Sequence, residues 1–237
     1  FRPEKAESFE IGLKGLAFDN RLSFALAAFR TTFTDLQTNA FVGAATVSVV
    51  TNVGKASSEG VEAEFHFTPV DGLQINMSGA YTDAKYLQFP GAACIRAGCP
   101  TTTAIVGGVP QTVSLISQDL SHTRIIFSSK WSGTFGVEYQ APVGDYVLNP
   151  GFIVVGRSGF NPSTNNEPLL RQHGYAQLDA HIDLKPANGF WTVSLFGRNL
   201  TDIQYKEFGD AVPLTTGGLA SALSRGRQLG IRAAVNF

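Results

Sequence analysis

Apolar and polar residues alternate one for one in run after run of this chain, and a period of two confines it to strands with two unlike faces. Phe9, Ile11 and Leu13 alternate with Glu10, Gly12 and Lys14, and Leu22, Phe24, Leu26 and Ala28 with Arg21, Ser23, Ala25 and Ala27. Val61, Ala63, Phe65 and Phe67 interleave with Glu62, Glu64 and His66, and Leu73, Ile75, Met77 and Tyr81 with Gln74, Asn76, Ser78 and Thr82. Further on, Phe135, Val137 and Tyr139 alternate with Thr134, Gly136 and Glu138. Leu178, Ala180, Ile182 and Leu184 do so with Gln177, Asp179, His181 and Asp183, and Trp191, Val193 and Leu195 with Thr192, Ser194 and Phe196. The last run puts Leu229, Ile231, Ala233, Val235 and Phe237 on one face. No stretch keeps helical spacing over a comparable length.

The breaks between runs come in two sizes. Asp19-Asn20, Pro69-Val70-Asp71-Gly72, Ala141-Pro142-Val143-Gly144-Asp145 and Pro186-Ala187-Asn188-Gly189 carry the residues of tight hairpins. Between them lie long stretches rich in Gly, Thr, Ser, Asn and Pro, over 36–47, 87–121, 158–170 and 202–225. Tight turns at one end and long loops at the other, on strands with one apolar face, describe a transmembrane antiparallel up-and-down β-barrel. The terminal Phe237 suits a strand that ends at a lipid interface. About nine strands can be placed. That number is odd, whereas single-chain bacterial barrels have an even number, so strands are expected upstream. The opening Phe1-Arg2-Pro3, without an initiator Met or signal peptide, agrees with a piece of a longer precursor.

Composition narrows the class. Only 16% of residues are charged, whereas soluble proteins average about a quarter. No run of about eighteen apolar residues exists to cross a bilayer as a helix. A net charge of −1 gives no basic footprint for nucleic acid.

Four segments resemble the TonB-dependent outer-membrane receptors. Phe1-Arg-Pro-Glu-Lys-Ala-Glu-Ser-Phe-Glu-Ile-Gly-Leu-Lys-Gly15 is similar to their Pro-Glu…Glu-x-Gly-x-Lys strand, and Asn52-Val-Gly-Lys-Ala-Ser-Ser-Glu-Gly-Val-Glu-Ala-Glu64 to their Asn-x-Gly…Gly-x-Glu strand. Phe196-Gly-Arg-Asn-Leu-Thr-Asp-Ile-Gln-Tyr205 resembles their Asn-Leu-x-Asp…Tyr segment, and the closing strand with its final Phe completes the order. Two departures stand out: Leu120-Ser121-His122, where a Gly often follows the Ser, and Ser224-Arg225-Gly226-Arg227 in place of a Pro-Arg pair.

The resemblance implies a Gram-negative outer-membrane importer. Residues 1–237 would form the C-terminal portion of a plugged barrel of about 22 strands, with the plug domain and the N-terminal barrel strands outside them. Its partners would be outer-membrane lipid, TonB acting through the plug region, the barrel-insertion machinery reading Phe237, and a small-molecule ligand such as a ferric siderophore. Two alternatives share some of these features: a passive porin-like barrel, and a soluble carbohydrate-binding or adhesive β-sandwich. The first has no reason to carry the Pro-Glu and Asn-Leu-Thr-Asp motifs, and the second should carry more charge on its outer face.

Glu10, Lys14, Glu62, Glu64, His66, Asp179, His181 and Asp183 fall on the polar face, where they would line the lumen or touch the plug, with Glu and Lys paired across strands. Asn199, Leu200, Asp202 and Tyr205 match the family motif and are expected to shape a strand's upper end. Neither a catalytic centre nor a resident cofactor or metal is expected: the Asp179, His181, Asp183 alternation lacks a nucleophile or an open metal geometry nearby in sequence. Cys94 and Cys99 are the only two cysteines and lie in the longest loop. Passage through an oxidising periplasm predicts a disulfide. The rival, a two-thiolate metal site, lacks the other ligands that a structural zinc wants. Phe29, Phe33, Tyr81, Tyr86, Trp131, Tyr139, Tyr146, Trp191 and Tyr205 are expected in two interface girdles.

Overall fold

The computed structural model describes residues 2–41, 48–52, 54–94, 99, 101–114, 117–212, 215 and 218–236. Its frame is one antiparallel sheet. We label its long strands β1 (Lys5–Ala17), β2 (Leu22–Thr34), β3 (Lys55–Phe67), β4 (Leu73–Gln88), β5 (Trp131–Tyr139), β6 (Tyr146–Arg157), β7 (Tyr175–Pro186), β8 (Trp191–Arg198) and β9 (Gln228–Val235). Each hydrogen-bonds to the next, so spatial order equals chain order, and a tenth short strand, Ala141–Val143, pairs with β6. Nine strands in an up-and-down meander is the count that the alternation predicts.

The register explains the alternation. Residues opposite one another share a face, and the pairs carry each apolar set onto the next strand: Leu13 opposite Leu26, Phe24 opposite Phe65, Met77 opposite Phe135, Phe152 opposite Ala180, Ile182 opposite Leu195, and Leu195 opposite Ile231. One face is therefore apolar across all nine strands. It is also bare: Ile11 is 77% exposed and Ile231 76%. A soluble sandwich would bury such a face against a second sheet. Here the buried hydrophobic side chains among the described residues all sit at the long-loop end, so lipid is the solvent that this face fits.

That loop-end core holds Ala56, Tyr86, Phe89, Ala92 and Leu120, with Phe33, Leu36 and Ile125 against it. Ala56, Phe33 and Tyr86 are opposite one another on β2, β3 and β4 and share the polar face's parity. The connection from β4 to β5 thus folds inward over the strands' ends. This corrects the girdle expectation for Phe33 and Tyr86, which serve as the floor beneath a loop, and for Phe29, which lies opposite Glu10 on the polar face. Tyr81 and Trp131 do form an outward pair, with ring centroids 4.7 Å apart, and Tyr146 and Trp191 another at 6.1 Å near the tight turns.

Candidate functional site

The polar face is hollow. An open concavity of about 940 Å³ is lined by Glu10, Lys14, Glu62, Glu64, Ser78 and Arg157, among others, and a second includes Asp179, His181, Asp183, Arg198 and Arg232. All eight charged and histidine positions singled out in the sequence thus carry one parity and lie along one wall. The expected Glu–Lys pairing does not occur: Ala25 stands between Lys14 and Glu64 in the register. None of Glu10, Lys14, Glu62 and Glu64 enters an ion pair among the described residues. Small side chains stand beside Glu62 (Ala27 and Ala80) and Glu64 (Ala25 and Ser78) and leave both open to the hollow, whereas Glu10 lies opposite Phe29. The others fare differently. His66 Nδ1 meets Asn76 Oδ1 at 2.5 Å, His181 Nε2 stands 3.8 Å from Asp183 Oδ2, and Asp179 accepts the backbone N–H of Asn199 at 2.7 Å.

At the loop end of β8 the Asn-Leu-x-Asp motif forms a clasp. Asn199 is buried with φ near 50°, a left-handed conformation that Asn tolerates. Its Nδ2 donates to the carbonyls of Ile203 and Arg225, each at 3.0 Å. Its Oδ1 accepts from Ile203 N–H at 3.1 Å and Thr201 O–H at 3.2 Å. Two donors and two acceptor positions are thereby all used. The side chain of Leu200 lies over Gly197, where any Cβ would meet it at 2.5 Å. Asp202 accepts the backbone N–H of Arg227 at 2.8 Å and its guanidinium at 3.3 Å, and these bonds hold its carboxyl below the usual range. Tyr205 stacks on Tyr175 with centroids 4.2 Å apart and planes 9° apart. That position is a loop contact, so Tyr205 leaves the girdle set. Ser224, one of the departures from the family pattern, has its Oγ accepting Tyr205 N–H at 3.0 Å.

The Pro-Glu and Asn-x-Gly segments meet in a second clasp, at the loop ends of β1 and β2. Arg2 Nε donates to Asp35 Oδ1 at 3.0 Å, and Arg2 N–H to Asn52 Oδ1 at 2.7 Å. Asn52 Nδ2 returns to the carbonyls of Arg2, at 3.0 Å, and Asp35, at 2.6 Å. Glu4 accepts Gln37 N–H at 3.0 Å. The Arg2 guanidinium holds the Asp35 carboxyl below its ordinary range. Sequence reasoning missed Arg2 and Asp35, although the Asp next to a strand end was a readable turn signal.

Three loops are joined above the hollow. Asp210 accepts from Thr164 Oγ1 and, at 2.7 Å, from Asn165 Nδ2. Gln118 Nε2 donates to Asn165 O at 2.9 Å. Arg157 sits over the Phe160 ring at 4.1 Å and donates to Ser129 and Phe127. Cys94 and Cys99 are bonded, with Cα atoms 5.7 Å apart, and both are buried. Phe237 lies outside the described residues. Among those residues no group of three or more His, Cys, Asp or Glu could hold a metal ion.

Known proteins give the same architecture. The chain is 27% identical over 207 residues to the ferric-pyoverdine M114 receptor PbuA of Pseudomonas sp. (strain M114), covering 86% of this chain and 22% of that one. The ferric yersiniabactin uptake receptor FyuA from Yersinia pestis superposes with a TM-score of 0.73 at 19% identity, over 99% of this chain and 30% of that one. The siderophore receptor PiuA from Acinetobacter baumannii does so with a TM-score of 0.63 at 19% identity, over 96% and 28%. These two share the fold, and the chain spans less than a third of each of the three. Residues 1–200 match the family model described as TonB dependent receptor-like, beta-barrel, and the chain belongs to that family.

Proposed function

We propose that this chain is the C-terminal wall of a Gram-negative outer-membrane receptor that takes up a ferric siderophore with energy delivered by TonB. One observation carries the reading: a single sheet exposes an apolar face on one side and a charged hollow on the other, with interlocked loops at one end only. Lipid meets the first face. A plug domain, supplied from outside residues 1–237, fills the second, and the unpaired Glu10, Glu62 and Glu64 are its docking points.

The outer edges of β1 and β9 have no partner strand among the described residues, and an open edge cannot persist in lipid. Both edges are completed by upstream strands of a barrel of about 22. TonB engages the plug region, and the insertion machinery reads the closing strand and Phe237. The chain binds and passes a ligand and catalyses no reaction. Support for a ferric chelate as that ligand comes from the ferric-pyoverdine receptor at 27% identity. The stacked Tyr175 and Tyr205 lie at the loop end, where Arg157 covers the ring of the buried Phe160.

The test is uptake of radioactive iron, presented as single purified siderophores, by cells whose only receptor is the full-length protein. Saturable uptake that disappears when TonB is deleted is expected. Linear, TonB-independent uptake would establish a passive porin instead. Saturable, TonB-dependent uptake of an iron-free solute, with none of iron, would keep the architecture and discard the ligand.

A further inference from the structure

Tyr175 and Tyr205 stack with planes 9° apart and centroids 4.2 Å apart, closer than the roughly 4.5–7 Å usual for aromatic pairs. Of the six tyrosines, no other two are in ring contact among the described residues: Tyr81 and Tyr146 face tryptophans, and Tyr86 faces Phe89. The two phenol groups lie close enough to interact, so the rings run head to head and the carbons ortho to the two hydroxyls are neighbours. Both backbones are held. Tyr175 opens β7 opposite Arg157. Tyr205 donates its N–H to Ser224 Oγ at 3.0 Å and accepts the Ser224 N–H at 2.9 Å, and the N–H of Lys206 meets Gln172 Oε1 at 2.9 Å. Two reactants fixed in contact in this way couple far faster than two that must meet by diffusion.

Sulfur does not compete for an oxidant there. Cys94 and Cys99 are already bonded to each other, and the single methionine, Met77, lies opposite Phe135 on the lipid-facing side. Both phenols are half-buried and within reach of a small oxidant. We propose that Tyr175 and Tyr205 are an oxidative modification site, coupling into a dityrosine when hydrogen peroxide meets iron at the loop end. Each phenol gives up one electron and its O–H proton. The two radicals join through a carbon–carbon bond between ortho positions. The hydrogen on each of those carbons then moves to the phenol oxygen, which restores both rings and both hydroxyls. One hydrogen peroxide takes up the two electrons and two protons and leaves as two waters, with iron cycling between its ferrous and ferric states. The new bond fastens the foot of the last long loop to the first residue of β7. The inference rests on the receptor reading above for the iron that reaches this end.

The experiment exposes the full-length receptor, in neutral detergent, to hydrogen peroxide with ferrous sulfate. Dityrosine fluorescence should appear, and mass spectrometry should find the tryptic peptides 172–198 and 199–206 joined, with the mass of the two less two hydrogens. Peroxide with a metal chelator in place of iron should yield no coupling. Tyr205→Phe keeps a ring in the stack and should bring the joined product to the level of untreated protein, whereas Tyr139→Phe should leave it as in the parent. Singly hydroxylated Tyr175 and Tyr205 without the joined peptide, a joined peptide that persists in Tyr205→Phe, equal coupling without iron, or coupling found only between separate receptor molecules would each overturn the proposal. Iron uptake by the untreated parent is scored separately. Coupling without uptake would sink the receptor reading and keep this inference, and uptake without coupling would sink this inference alone.

Discussion

The side-chain amide of Asn199 donates to the carbonyl of Arg225, 26 residues further along the chain, at 3.0 Å. This bond, with the one that Arg227 N–H donates to Asp202, ties the end of β8 to the start of β9 across the last long loop. The loop can vary in sequence while its two feet stay fixed. Asn199→Gly keeps the left-handed backbone and removes every side-chain bond. In the full receptor it should cost about 1–3 kcal/mol, the penalty for buried carbonyls left without a donor. Hydrogen exchange should rise at Ile203 and Arg227 and stay unchanged in β3, and protection equal to the parent's at both sites would refute the clasp.

The clasp should open in acid. Hydrogen bonds from Arg227 lower the Asp202 pKa in the folded state, so the contribution is fully present above the unfolded value of about 3.9 and is lost as pH falls through the lower folded value. The protection factor at Arg227 N–H, which takes out the intrinsic pH dependence of exchange, should therefore fall more steeply on acidification in the parent than in Asp202→Asn, which cannot titrate. Identical pH profiles would remove Asp202 from the account.

Much of this was legible in the sequence because a strand's period of two is local. Leu26, Ala63 and Ile231 can be assigned to a face from their near neighbours alone, and the register only lines those faces up. The misreadings arose where faces are decided by distant chain. Phe33 and Tyr86 look like girdle aromatics until Phe89 and Leu120 fold over them. Tyr175 and Tyr205 are separated by the length of β7, a turn and β8, and no pattern announces that they stack. The spacing of Lys14 and Glu64 across two strands depends on which residue of β2 stands between them. Motifs were easier to find than to explain: Asn199 and Asp202 were visible, their partners Arg225 and Arg227 were not.

His122 has φ near 62°, a conformation costing an L-residue about 1 kcal/mol, and it stands where the family often has Gly. Its N–H donates to Tyr86 O at 2.6 Å, which holds it there. His122→Gly should match or exceed the parent's stability by up to about 1 kcal/mol, after the added freedom of the unfolded chain is counted. His122→Val should lose at least about 1 kcal/mol. Thermal unfolding of the two variants in one detergent checks the order, and a more stable Val variant would contradict the assigned backbone.

Gly230 faces the hollow, yet it should not tolerate a side chain. A Cβ there would stand 2.5 Å from the ring of Phe196, which lies across it from β8 between Arg198 and Arg232. Gly230→Ala must push the ring aside and should cost about 1–3 kcal/mol. Adding Phe196→Leu should recover part of that loss, as a coupled pair requires. Simple additivity in the double variant would show that the ring and the glycine are independent.

The clash at Gly230 also decides how the lipid-facing register has to be tested. Leu229, Ile231 and Val235 share the apolar face of β9, and Ala234 lies opposite Thr192 on the other. Arginine at Ile231 should cost about 2–4 kcal/mol if it lies near the bilayer midplane, and less at Val235, close to the turn end. Ala234→Arg projects into the hollow, where water or the plug can solvate it, and should leave assembly near the parent's level. Gly230→Arg is unusable as the matching control, because steric conflict with Phe196 would lower assembly whichever face it occupied. Folded receptor in outer membranes, scored by heat-modifiable mobility, should therefore fall for Ile231→Arg and hold for Ala234→Arg. The reverse order would mean that β9 is displaced by one residue, which would exchange its two faces.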